Sequence, residues 1–85
     1  MNFGENMRLD KFLKVSRIIK RRTVANEACD AGRVFVNGKV ARASYDVKIG
    51  DIIEISFGAK DFKAKVTAVS ETVKKDDAQN LYTLI

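Results

Sequence analysis

With 85 residues, 46% of them hydrophobic and 32% charged, the chain has material for one compact domain around one core, and its make-up is that of an ordered protein, not a disordered tail. Histidine is absent and Cys29 is the single cysteine, which removes the commonest general base, any thiolate metal cage and any intramolecular disulfide, so no metal, cofactor, small-molecule substrate or enzymatic activity is expected. The net charge of +5 and isoelectric point near 9.6 favour a polyanionic partner: RNA, DNA or an acidic membrane surface.

No apolar run approaches the roughly 20 residues that span a bilayer, and the start of the chain lacks the charged-then-apolar layout of a secretion signal. A cytoplasmic location with no membrane partner is the resulting expectation. Met1 to Asn6 reads as a loose arm, and residues 7–85 read as one domain.

From Arg8 to Arg22 the basic residues Arg8, Lys11, Lys14, Arg17, Lys20, Arg21 and Arg22 are opposed by Asp10 alone, whereas acids and bases are mixed beyond Asp46. Positive charge gathered in one segment is what a binding face requires and what uniform solubilisation does not produce. In the same segment Leu9, Phe12, Leu13, Ser16 and Ile19 recur at three- and four-residue steps, the stripe of an amphipathic helix. On a helical wheel Lys14, Arg17 and Arg21 fall away from that stripe, with Lys11 nearby. Phe12 is expected in the core, and the Lys20 stem is placed to cover part of the apolar side.

Thr23 can cap a second short helix through its hydroxyl, and Val24, Ala25, Ala28 and Cys29 continue at helical spacing. Cys29 is expected to be buried filler. Gly32 closes this helix because glycine enters the left-handed conformation without a Cβ clash. The two helices are then joined by a basic turn from Lys20 to Arg22.

After Gly32 the period changes to two. Val34 and Val36 alternate with Arg33 and Phe35, and Asn37-Gly38 is a strong hairpin signal. Val47-Lys48-Ile49-Gly50-Asp51 supplies a turn before Ile52, Ile53 and Ile55; Gly58 marks another before a strand from Phe62 to Val69; and Leu81 to Leu84 adds a final strand. Lys74 to Asp77 has linker character. Phe35 and Tyr45 each admit two roles, packing or stacking on a base. The fold class is α+β: an N-terminal helix pair packed on a small, mainly antiparallel twisted sheet.

Arg8-Leu9-Asp10-Lys11-Phe12-Leu13, then Arg21-Arg22-Thr23, then Gly32-Arg33-Val34-Phe35-Val36-Asn37-Gly38 and Val47-Lys48-Ile49-Gly50-Asp51 together resemble the S-four RNA-binding domain family, with its alpha-L motif. That motif covers residues 8–55, with additional strands within 62–85. The run from Met7 to Arg17, Ile19 to Thr23 and the tail Asn80-Leu81-Tyr82-Thr83-Leu84 resemble the ribosome-associated quality-control branch, related to the fifteen-kilodalton heat-shock protein. The resemblance implies binding to a large ribosomal subunit obstructed by peptidyl-tRNA, with contacts to ribosomal RNA and tRNA while a peptide-tailing quality-control factor extends the stalled chain.

Arginine offers a planar fork for phosphate and lysine a mobile point charge. Arg8, Arg17, Arg21 and Arg22 are the first candidates for RNA contact, Lys11, Lys14 and Lys20 the second, with Arg33 and Lys39 beside the hairpin. Asp10 reads as a helix-start charge that orients a neighbouring base, since no partner acid or histidine accompanies it. Three alternatives remain open: another standalone ribosome-binding protein of the same family acting in subunit assembly or heat-shock rescue, a helix-turn-helix DNA reader over Arg17 to Gly32, and a protein-only adaptor.

Overall fold

The β-rich half follows directly from the alternation that begins at Val34. The computed structural model describes residues 7–69 and 81–85, in the order β1 (Met7–Arg8), α1 (Leu9–Val15), α2 (Arg22–Asp30), β2 (Val34–Val36), β3 (Lys39–Val40), β4 (Asp46–Val47), β5 (Ile52–Ser56), β6 (Asp61–Val66) and β7 (Tyr82–Leu84). The expectations for the arm before Met7 and for Lys74 to Asp77 lie outside the described residues. A five-stranded sheet has the order β3-β2-β5-β6-β7, and β1 pairs separately with β4. All of these pairings are antiparallel.

Register sets which side chains meet. Val34 lies opposite Ile55 and Val36 opposite Ile53, while Ile53 lies opposite Ala64. Residues directly opposite share a face of the sheet. All five are buried, and Leu9, Phe12 and Leu13 of α1 join Val34, Val36, Ile53 and Ile55 in one apolar cluster with Ala25 and Cys29 of α2. Phe12 is fully buried, as its place in the stripe requires. The α+β architecture expected from the sequence is the one observed. Phe35, on the opposite face, is half-buried beside the exposed Val40.

Two turns are fixed by glycine. Asn37 and Gly38 both have positive φ, 54° and 84°, the mirror-image turn that suits the right-handed twist of a two-residue hairpin, and Val36 faces Lys39 across it. Gly32, at φ 74°, ends α2: its amide donates to the Cys29 carbonyl and the Arg33 amide to that of Ala28, each at 3.0 Å. Those two bonds satisfy carbonyls that the helix end leaves open. A Cβ built on Gly32 meets nothing within 4 Å, so Gly32→Ala should destabilise by backbone strain alone, about 1–2 kcal/mol. Chemical denaturation reads this directly; an unchanged midpoint would mean that the left-handed cap is dispensable.

The helical half departs from expectation in three places. The apolar stripe runs to Ile19, but α1 stops at Val15. Ser16 is buried, its hydroxyl donating to the Leu13 carbonyl at 3.3 Å, and Arg17 takes φ 65°. Ile19 reaches the core because the chain doubles back and its amide donates to that same Leu13 carbonyl at 3.0 Å. Arg17 and Arg21 therefore do not share a helical face with Lys14. The connection between the helices is Ser16 to Arg21, not Lys20 to Arg22, since Arg22 already belongs to α2. Thr23 is not the cap: Arg21 occupies the cap position without a side-chain cap bond, and the start of α2 is held instead by a carboxylate from α1.

Candidate nucleic-acid interface

That carboxylate is Asp10, 2% exposed, in the first turn of α1. Arg8 meets it with two nitrogens, Nε to Oδ1 at 3.2 Å and Nη2 to Oδ2 at 3.3 Å. Arg22 approaches Oδ1 at 3.5 Å, Asn26 donates to Oδ2 at 3.2 Å, and the Lys11 amide donates to Oδ1 at 2.7 Å. Arg22 and Asn26 are one helical turn apart, so both project from the same side of α2 onto α1. Each arginine side chain remains about half exposed, 49% for Arg8 and 48% for Arg22. A guanidinium has five N–H donors in a fixed fork. The two-nitrogen contact orients the Arg8 fork, Arg22 touches Asp10 through one nitrogen, and both guanidinium groups keep further donors beyond those contacts.

Burial raises the Asp10 carboxyl, but the bonds from Asn26, Arg8, Arg22 and the Lys11 amide together outweigh it and hold the group below its ordinary value of 3.8. The unfolded chain therefore takes up this proton first as pH falls. The stabilisation is complete above about pH 4 and is lost as pH drops through the lower value of the folded state. Asp10→Asn should flatten the dependence of unfolding free energy on pH below about pH 4. An identical acid slope in the two proteins would remove Asp10 from this role.

A second buried carboxylate, Asp51, ties the two turns of the sheet half together. It accepts from Asn37 Nδ2 at 3.1 Å, from the Tyr45 hydroxyl at 2.9 Å and from the Lys48 amide at 2.9 Å, while Asn37 Oδ1 accepts from the Ile52 amide at 3.0 Å. Asn37-Gly38 and Gly50-Asp51 are thus turn-builders that also lock to each other. Burial, and then the bond to Asp51, push the Tyr45 hydroxyl above its ordinary value. Cys29 is buried, and desolvation, with Asp10 and Asp30 nearby, pushes its thiol up to about 11, as suits a packing residue.

Three adjoining clefts run across this side of the molecule. The first, about 420 Å³, is lined by Asp10, Arg22, Thr23, Asn26 and Glu27. Asn26 also lines the second, about 530 Å³, with Arg8, Asp30 and Arg42. Val40, Ala41, Arg42 and Ser44 carry that cleft into a third, about 610 Å³, which adds Lys39 and Tyr45. Arg22, Arg8, Arg42 and Lys39 accordingly border one continuous surface assembled from both helices, the hairpin and the following loop.

The other sequence candidates lie elsewhere. Lys14 is exposed on the last turn of α1, and Arg17, Lys20 and Arg21 are exposed along the connection to α2. Lys11 is half-buried. Arg33 borders a further hollow with Val24, Glu27, Ala28 and Ala31, which meets the first cleft at Glu27. Arg42 was missed because it lies outside the basic run. Its signal is the alternation Ala41-Arg42-Ala43, in which both alanines are buried and the arginine is exposed.

The family model described as S4 domain matches residues 7–53. The "RQC P-site tRNA stabilizing factor" of Bacillus subtilis is 53% identical over 79 residues, 93% of this chain and 92% of its own length. The protein of the same name from Halalkalibacterium halodurans is 58% identical over 76 residues, 89% of this chain and 86% of its own. Among solved structures, the trimeric structure of Vibrio cholerae Heat Shock Protein 15 superposes with a TM-score of 0.86 at 32% identity, covering 95% of this chain and 83% of that one. The order of helices and strands, the two turns and these relatives agree, and the chain belongs to the S4 domain family, on the branch shared by the proteins named RQC P-site tRNA stabilizing factor and by Heat Shock Protein 15.

Proposed function

We propose that the chain is an RNA-binding accessory factor of ribosome-associated quality control that works in the cytoplasm on obstructed large ribosomal subunits. It contacts large-subunit ribosomal RNA and tRNA while a peptide-tailing factor extends the stalled peptide, and it acts by positioning, with no bond-making chemistry of its own. The observation that carries this reading is the continuous surface bordered by Arg22, Arg8, Arg42 and Lys39, with two of its guanidinium groups paired to Asp10. Folded RNA is recognised through shape, phosphates and 2′-hydroxyls, so cations arrayed on a folded surface can be selective without reading base edges. The names of the relatives supply the quality-control setting and the tRNA. Lys11, Lys14, Arg17, Lys20, Arg21 and Arg33 enter this proposal as flanking contacts.

A helix-turn-helix DNA reader needs a basic second helix in the major groove. Here α2 carries one basic residue, Arg22, against Glu27 and Asp30, and the basic row crosses the helix pair into the hairpin instead. Co-sedimentation with purified large subunits, empty or carrying peptidyl-tRNA and over a range of salt, tests the proposal. Binding that prefers the tRNA-carrying subunit and weakens with salt is expected. Equal binding to both subunits would move the protein to another ribosomal step, and absence of binding to either would overturn the RNA reading.

A further inference from the structure

The largest of the three clefts has a chemistry that phosphate contact alone does not require. It lies where the β2–β3 hairpin meets the loop leading to β4, and Lys39, Arg42, Ser44 and Tyr45 line it together with the apolar Val36 and Val40. Lys39 lies opposite Val36 in the register and so projects on the core-facing side of the sheet. Arg42, Ser44, Lys39 and Val40 are exposed, and Tyr45 is half-buried. Neither Asp46 nor Asp51, the carboxylates on either side of the Val47 turn, lines the cleft.

Its two walls are held by the same buried group. Asp51 fixes the hairpin through Asn37 Nδ2 and the loop through the Tyr45 hydroxyl, at 3.1 and 2.9 Å. The hydroxyl bond and the packing of Tyr45 against the core restrict its ring, which lowers the entropy a binding partner must supply to order it. A volume of about 610 Å³ lies in the range of clefts that hold small ligands, roughly 300–1,000 Å³.

Two cations beside an aromatic ring suit a ligand with an anionic end and a flat apolar face. An unpaired nucleotide has both. RNA is read in single-stranded loops and bulges by stacking extruded bases on aromatic rings or arginine planes, whereas a base inside a duplex offers no free face. Resting on the RNA-binding reading above, we infer that the Lys39–Tyr45 cleft receives a single extruded nucleotide of the RNA, its base against Tyr45 and Arg42 and its phosphate toward Lys39. The cleft then recognises a loop or bulge, while Arg8 and Arg22 hold the neighbouring backbone.

Nuclear magnetic resonance titration of the isotope-labelled full chain tests this with three probes: a single-stranded RNA hexamer, a blunt RNA duplex and inorganic phosphate. The hexamer should shift the Lys39 to Tyr45 resonances and the Tyr45 ring, and the duplex should shift Arg8 and Arg22 but not the Tyr45 ring. Removing a stacking ring weakens single-strand binding by about tenfold, so Tyr45→Leu should lose about tenfold for the hexamer and keep its duplex affinity. Tyr45→Phe, which loses the bond to Asp51 but keeps the ring, should retain hexamer binding and so separates stacking from loop support. Arg42→Ala provides a second variant that leaves the Asp51 bonds intact, and it should weaken the hexamer as well. Hexamer shifts confined to Arg8 and Arg22, equal shifts with phosphate, or undiminished hexamer binding by Tyr45→Leu would overturn the cleft while leaving the RNA reading in place. No response to either RNA would overturn both.

Discussion

Replacing Arg8, Arg22 and Arg42 together by alanine should lower affinity for peptidyl-tRNA-carrying large subunits by about 100-fold, at roughly 1 kcal/mol for each charge-assisted phosphate contact removed. The salt dependence should change with it. Each phosphate contact contributes about 0.7–0.9 to the slope of log affinity against log salt, so the triple variant should lose roughly 2–3 in slope. A loss of affinity with an unchanged slope would indicate misfolding or loss of a non-ionic contact. Because Arg8 and Arg22 also pair with Asp10, Lys39→Ala/Arg42→Ala serves as the companion variant: the Asp10 and Asp51 carboxylates bond to other residues. It should retain the wild-type denaturation midpoint and still bind several-fold more weakly. The measurement is quantitative co-sedimentation at several salt concentrations.

Asp10→Ala should have the largest effect on the fold among the polar positions. It removes the acceptor shared by Arg8, Arg22, Asn26 and the Lys11 amide, leaving part-buried donors without that partner, and it unties the start of α2 from α1. We expect about 2–4 kcal/mol of destabilisation, from the loss of several bonds to one charged, buried group. Against a total of roughly 5–10 kcal/mol for a domain of this size, that is a large fraction of the stability. Urea denaturation reads it. The same variant should weaken RNA binding even under conditions where it is folded, because the two guanidinium groups must then be ordered on binding. A change below about 0.5 kcal/mol would place Asp10 among ordinary surface charges.

Most of the sheet half was legible because its signals are local, although the strand expected from Phe62 to Val69 runs from Asp61 and ends at Val66. Asn37-Gly38, Gly50-Asp51 and Gly58 mark turns through backbone preference, and the Val34/Val36 and Ile53/Ile55 alternations give the buried face without tertiary information. Gly32 was legible for the same reason. The end of α1 was not: Ile19 falls at a helical interval after Leu9, Phe12 and Leu13, yet it reaches the core through a left-handed Arg17 and a chain reversal. Spacing cannot distinguish a residue carried round a helix from one folded back beneath it. The β1 and β4 strands have two residues each, too few for any period to register.

Of the charged cluster between Arg8 and Arg22, its first and last members converge on Asp10. The charge pattern did not show that Arg17, Lys20 and Arg21 stand apart from them, or that Arg42 borders the same surface. The contacts that create the surface, Asp10 with Asn26 and Asp51 with Asn37, join residues 16 and 14 positions apart. They become visible only once the chain is folded. Asp10 was expected to orient a neighbouring base; it pairs with two, Arg8 and Arg22, and also accepts from the Asn26 amide.

The central claim is that RNA meets the surface running from Arg22 through Arg8 to Arg42 and Lys39. Directed hydroxyl-radical probing from an iron chelate on an introduced cysteine tests it most directly, with Ser44→Cys inside that surface and Thr83→Cys on β7. Cys29 can stay in place, since it is buried and its thiol is pushed up to about 11. With peptidyl-tRNA-carrying large subunits, the account predicts strand cleavage in ribosomal RNA and tRNA from position 44 and little or none from position 83. Cleavage from position 83 with none from position 44 would contradict it.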